Sequence, residues 1–108
     1  MTKIYLIRHA EAEGNLYRRI QGHWDGSITA LGLQQIDALA QRFRHEHIDA
    51  LYCSNLSRAR VTAEAITRYH DIPAVATPRL AEICMGVWEG RAWGDVEHEF
   101  PEQMRYFN

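Results

Sequence analysis

The sequence predicts an α/β protein built on a parallel sheet. Short apolar runs recur at residues 4–7, 48–53 and 74–77, and two stretches of helical character separate them. That β-α-β-α-β order leads to right-handed crossovers, with helices covering the faces of the sheet.

Each element has a local reason. Ile4, Tyr5, Leu6 and Ile7 make a continuous apolar run that reads as a buried strand, and Arg8-His9 stops it abruptly. A Gly-punctuated loop follows over residues 14–27. Thr29 is a good N-cap, and Leu33, Ile36, Leu39, Ala40 and Phe43 then recur at helical spacing, which predicts an amphipathic helix to about Glu46. Ile48 to Cys53 reads as a second strand, and Ser57 is a candidate cap for a helix through Ala59, Thr62, Ala63, Ile66 and Tyr69. Asp71-Ile72-Pro73 ends that helix. Ala74 to Thr77 is a weaker third strand, because Pro73 and Pro78 bracket it. Residues 79–91 read as loop, and Pro101 opens a short helix running to Asn108.

Composition bounds the function. A chain of 108 residues with 46% hydrophobic content suits one domain, and a second is not expected. Twelve Lys+Arg against fourteen Asp+Glu give a net charge of −2, so no whole-surface attraction to nucleic acid or to an anionic membrane is expected. Any anion site must be local. The initial apolar run is far too short for a signal-peptide core or a membrane span, which predicts a soluble, cytoplasmic protein. Cys53 and Cys84 have no second pair, and both read as buried small hydrophobes rather than as metal or disulfide cysteines.

In an open α/β sheet, ligands gather beyond the carboxyl ends of the strands. Arg8-His9, the stretch from Ser54 to Arg58, and Glu82 all fall at that edge. Two arginines, a histidine and a carboxylate converging on one rim outline a reaction site.

The same residues carry a resemblance. Arg8-His9-Ala10-Glu11, with Asn15 six residues past the histidine, is similar to the signature of the histidine phosphatase superfamily, the phosphoglycerate-mutase-like proteins. Ile20-Gln21-Gly22, Ile28-Thr29-Ala30-Leu31-Gly32, the block Ser54-Asn55-Leu56-Ser57-Arg58-Ala59 with Thr62-Ala63-Glu64, and Leu80-Ala81-Glu82 with Gly86-Val87-Trp88-Glu89-Gly90 resemble further family motifs in the right order. The resemblance implies a three-layer α/β/α sandwich in which His9 is the nucleophile and Glu82 the proton donor. It implies that Arg8, Asn15, Gln21, Gly22 and Arg58 bind the phosphate of a small phosphorylated metabolite, with neither metal nor other cofactor.

Two departures stand out. Ala10 occupies the usual glycine position, which adds only a methyl. The family's second catalytic histidine, after a later strand lying between those equivalent to the first and second here, has no counterpart: His45, His47, His70 and His98 all stand in other contexts. Family members run to nearly double this length, so residues 1–108 read as the N-terminal part of such a domain or as a shortened relative with a rebuilt sheet. A chain lacking an interior strand leaves two strand edges unpaired, and a homo-oligomer or swapped segment is one way to cover them.

The residue types suit the chemistry. Neutral imidazole attacks phosphorus, guanidinium forks match phosphate oxygens, and a carboxyl of raised pKa protonates the departing alkoxide. By residue type alone, Glu11, Glu13 and Glu89 compete with Glu82. Bland alternatives are a strand-end His9 bonded to backbone, an Arg58 paired with Glu64, although six residues is not a helical contact spacing, a solvated Glu82 and a Trp24 that merely anchors its loop. Arg18-Arg19 reads as a solvated pair, with steering of substrate phosphate as its alternative. The loop from Asn15 to Gly22 resembles phosphatase-type members, and Gly14 stands where mutases typically carry Trp. A phosphatase is therefore expected, with mutase-type transfer or a silent phosphate-binding fragment as alternatives.

Overall fold

The computed structural model describes residues 1–107. In order come α1 (Glu13–Leu16), α2 (Ala30–Phe43), β1 (Leu51–Ser54), α3 (Ser57–Thr67), β2 (Ala74–Thr77), α4 (Trp93–Glu99) and α5 (Pro101–Phe107), with 3-10 turns at Pro78–Leu80 and Gly86–Trp88. Helix α5 starts at Pro101 as expected, and its expected extension to Asn108 falls outside the described residues.

The sheet is parallel, as predicted. β1 pairs with β2 in the register Leu51 to Ala74 and Ser54 to Thr77, and α3 provides the crossover. The first predicted strand is the main correction. Residues 4–7 pair with no other segment among the described residues, because a cleft of about 440 Å³ lies between them and β1. Leu6 is 95% exposed in consequence. What anchors the segment is side-chain contact: the Tyr5 ring meets Phe43 edge-on at 5.0 Å, and its hydroxyl donates to Glu46 Oε2 at 3.0 Å.

Helix α2 forms where its periodicity placed it. Thr29 Oγ1 accepts from Gly32 N at 3.1 Å, and Ile36, Ala40 and Phe43 are buried while Leu33 is exposed. Ala10, Ile36, Ala40 and Ala65 form one core between the His9 segment, α2 and α3. Ile20, Val96 and Met104 form a second, between the loop after α1 and helices α4 and α5. Helix α4 was not expected from the sequence. Its short pattern becomes intelligible only when Val96 is seen packed on Ile20.

Three further expectations are corrected. Ser57 does not cap α3; Leu56 holds the N-cap position without a side-chain bond, and Asp25 from the distant loop accepts from the N–H of Ser57 and of Arg58 instead. Cys53 is buried but Cys84 is exposed. Helices do not cover both sheet faces: Tyr52 and Val75, paired in register, are 64% and 46% exposed. The radius of gyration is 15.9 Å, against roughly 13 Å for a compact domain of this length. No helix among the described residues is long and apolar enough to cross a membrane.

Candidate active site

Two clefts open at the carboxyl ends of the strands. One, of about 440 Å³, runs along β1; the other, of about 420 Å³, is walled by the loop from Gly14 to Gly22 and by Trp93. Arg8, His9, Arg58 and Glu82 are the residues lining both, so they stand where the clefts meet. Asn15, Gln21 and Gly22 line the second cleft. All seven residues nominated from the sequence therefore come together, although the strand expected to deliver Arg8-His9 does not form.

His9 is half-buried, and its Nδ1 lies 2.7 Å from the Ala10 carbonyl. A carbonyl only accepts, so Nδ1 carries a proton, and in the neutral ring it is Nε2 that keeps the lone pair. The bond to backbone expected as a bland alternative is present, and it leaves Nε2 rather than Nδ1 as the nitrogen without a protein partner. Thr62 fixes this segment from below: its hydroxyl accepts from Ala10 N at 2.9 Å and donates to the Arg58 carbonyl at 2.7 Å. Thr62 is buried; its helical spacing and its motif place it on α3, but nothing in its own sequence context marks it as a tie between the imidazole and the arginine helix. Thr62→Val keeps the shape but orphans the Ala10 N–H. A loss of about 1–3 kcal/mol in denaturant melts is expected.

Arg58 is 3% exposed. Its guanidinium donates to Gly22 O at 2.6 Å, to Trp24 O at 3.1 Å and to Asp25 Oδ1 at 3.4 Å. Three of its five N–H groups are thereby occupied, leaving Nε and one Nη2 hydrogen for a ligand. Glu64, six residues along the same helix, is not the partner of Arg58; Asp25 is, and sequence separation conceals it. Gly22 sits at φ +55, and a Cβ there would lie 2.3 Å from Glu89 Oε1 and 2.7 Å from the Ile83 carbonyl. Only glycine lets this loop close on the guanidinium.

Asn15 Oδ1 accepts from Ala12 N at 3.0 Å, and the residue lines the second cleft. Gln21 packs its side chain over Gly14, where a Cβ would come within 2.1 Å of it, and its buried Oε1 has no protein partner. Glu82 is exposed, with Oε1 accepting from Ile83 N at 3.0 Å. Its rivals are engaged elsewhere or away from the clefts. Glu11 accepts from the Thr29 hydroxyl at 2.6 Å, Glu13 lines neither cleft, and Glu89 accepts from His23 N and Met85 N.

Burial by itself would raise the Glu89 carboxyl, but backbone N–H groups of His23, Met85 and Trp24 overcome it and hold the group below its ordinary 4.5. A carboxyl lowered by folding contributes stability above its unfolded value and loses it as pH falls through the folded one. The junction of this loop with residues 85–89 is therefore expected to loosen in acid below pH 4.5, and Glu89→Gln to flatten that dependence in thermal melts.

Among the described residues, no group of three or more His, Cys, Asp or Glu side chains is placed to hold a metal. His47 faces Asp49 at 2.7 Å and His70 Nε2 meets the Phe43 carbonyl at 2.8 Å, so neither histidine approaches the clefts.

An imidazole, two guanidiniums and a carboxylate thus stand together where the two clefts meet. Residues 4–108 match the model of the histidine phosphatase superfamily (branch 1), and the chain belongs to that family. It is 36% identical over 105 residues to phosphoserine phosphatase 1 of Hydrogenobacter thermophilus, covering 97% of this chain and 50% of that one. It is 43% identical over 91 residues to a probable phosphoglycerate mutase, GpmB, of Photorhabdus laumondii, covering 84% and 42%. Among solved structures, Bacillus stearothermophilus YhfR superposes with a TM-score of 0.87 at 34% identity, over 93% of this chain and 50% of that one. The fold is thus that of the phosphoglycerate-mutase-like α/β proteins, and the chain spans about half the length of the relatives it matches.

Proposed function

We propose that the protein is a phosphatase that hydrolyses a small phosphate monoester through a phosphohistidine on His9. The observation that carries this reading is the meeting of Arg8, His9, Arg58 and Glu82 at the junction of the two clefts, with His9 Nδ1 tied to the Ala10 carbonyl. Nε2 attacks phosphorus, the P–N bond forms and the ester P–O bond breaks, and Glu82 gives its proton to the departing alkoxide. Glu82 then takes a proton from water as that water attacks phosphorus, releasing inorganic phosphate and restoring the imidazole. Arg8 and Arg58 neutralise charge on the phosphoryl oxygens throughout, while Asn15, Gln21 and the backbone at Gly22 add donors.

No step needs a metal, and the reading has the protein working in the cytoplasm on a small phosphorylated metabolite. The test is hydrolysis of an aryl phosphate by the complete protein in excess chelator, with acid-quenched capture of a phosphoenzyme. Phosphate release without that intermediate, or turnover abolished by the chelator, sinks the reading.

A mutase reading is favoured by one observation, the 43% identity to a probable phosphoglycerate mutase. Isomerisation of a monophosphorylated glycerate faster than its hydrolysis, on adding a bisphosphorylated activator, would establish it. Gly14 supports the phosphatase instead, since it stands in sequence where mutases typically carry Trp, and the Gln21 side chain packs so closely over it that even a Cβ would meet it at 2.1 Å. A chain of residues 1–108 alone would bind phosphate weakly, and its uncovered Tyr52 and Val75 favour self-association. Sedimentation as a monomer at high concentration would count against that association.

A further inference from the structure

Arg18 is the one non-glycine residue with positive φ among the described residues, at φ +54. Its neighbours impose that conformation. Arg18 O accepts from Trp93 N at 3.0 Å, Arg19 N donates to Gly14 O at 2.8 Å, and Arg19 pairs with Ala92 in an antiparallel bridge. A locked turn of this hand suits glycine best, and a bulky side chain persists there at a cost.

The side chain that the turn carries stands on the wall of the second cleft, beside Arg8, His9, Arg19 and Arg58. These cations are not equivalent. Arg58 is held by Gly22, Trp24 and Asp25, and Arg19 Nη1 donates to the Gly90 carbonyl at 2.7 Å. The Arg18 side chain has no hydrogen-bond or ion-pair partner among the described residues. Glu82 is the only carboxylate among the described residues lining that cleft, and the proposed chemistry occupies it with the leaving group.

We infer that Arg18 is a specificity-determining residue that binds a carboxylate on the part of the substrate beyond the phosphate, so that the preferred substrate is the phosphate ester of a short hydroxy acid. The inference rests on the phosphatase reading for where the phosphate lies. With the phosphoryl oxygens on Arg8 and Arg58, two guanidiniums of the cleft are left, and Arg18 is the one whose side-chain donors are all unengaged, since Arg19 is tethered to the Gly90 carbonyl. A single planar fork matches a single carboxylate, whereas a second phosphate dianion would call for two cations, as the first does.

The experiment compares 3-phosphoglycerate with glycerol 3-phosphate, which differ by a carboxylate against a hydroxymethyl group. Dissociation constants are measured by calorimetry in the complete protein carrying His9→Ala, where ligand is not consumed, alone and combined with Arg18→Gly, Arg18→Gln or Arg18→Lys. Glycine adopts positive φ freely, so Arg18→Gly is expected to melt no lower than its parent.

The parent should prefer the acid about tenfold or more, the fold-change of one charge-assisted bond. Arg18→Gly and Arg18→Gln should bring the two ligands to within about twofold by weakening the acid alone, and Arg18→Lys should restore part of the preference. An unchanged preference, or equal weakening of both ligands, overturns the inference. Turnover by the wild-type protein is scored separately. A carboxylate preference without hydrolysis would refute the phosphatase reading while sustaining the role of Arg18, and hydrolysis without a preference would do the reverse.

Discussion

His9→Ala in the complete protein is expected to lower turnover by on the order of 10⁴ to 10⁶, the loss that follows removal of a nucleophile acting within a catalytic unit. The acid-stable intermediate should also disappear from quenched reactions. Two features make the expectation large. Nδ1 is committed to the Ala10 carbonyl, so Nε2 is the one lone pair that the imidazole offers, and no other histidine lines either cleft. Stability should change little, because the ring is only half-buried and its single bond is to its neighbour's backbone. Melting curves that overlay the wild type, with turnover lost, would therefore separate chemistry from folding. Turnover surviving at the wild-type rate would remove His9 from the mechanism.

Arg58→Ala is expected to damage both fold and function. The guanidinium is 3% exposed and satisfies the Gly22 carbonyl, the Trp24 carbonyl and Asp25. Deleting it orphans two carbonyls and leaves a carboxylate facing them. Asp25 is 22% exposed, so water relieves part of that penalty, and a loss of about 3 kcal/mol is expected from denaturant melts. Catalysis should fall by about 10³, the effect of removing one aligned donor from a developing phosphoryl charge. Arg58→Lys separates the two effects. It returns a charge near Asp25 but cannot reach three acceptors and a ligand at once, so stability should recover more than turnover does. Equal recovery of both would mean that Arg58 acts only through the fold.

Local pattern carried most of the secondary structure and the membership of the site. Thr29 caps α2 and apolar spacing orients it, because both are settled within a turn of helix. The parallel pairing of β1 with β2 follows from the crossover helix between them. Arg8-His9, Arg58 and Glu82 were legible because strand ends and helix starts converge at one edge of such a sheet, whereas Asn15, Gln21, Gly22 and the choice of Glu82 among the glutamates were implied by the family resemblance.

The residues that make the site rigid were not legible in the same way. Asp25 reaches α3 across more than thirty positions, Thr62 ties His9 to the Arg58 helix, and Glu89 closes on the loop at Gly22. None has a local pattern, since each depends on a contact between distant segments. Helix α4 was missed for the same reason, as its short apolar stripe has meaning only against Ile20.

Residues 4–7 show the opposite failure. Their composition is that of a strand, but a strand needs a hydrogen-bonded neighbour, and a cleft stands where that neighbour would lie. Residue type and order by themselves determined the fold class, the α2 and α3 helices and the sheet edge at which Arg8, His9, Arg58 and Glu82 gather. Tertiary structure alone decided whether an apolar run becomes a strand, which carboxylate holds Arg58, and which nitrogen of His9 is free, because each depends on the position of a partner that no local stretch of sequence contains.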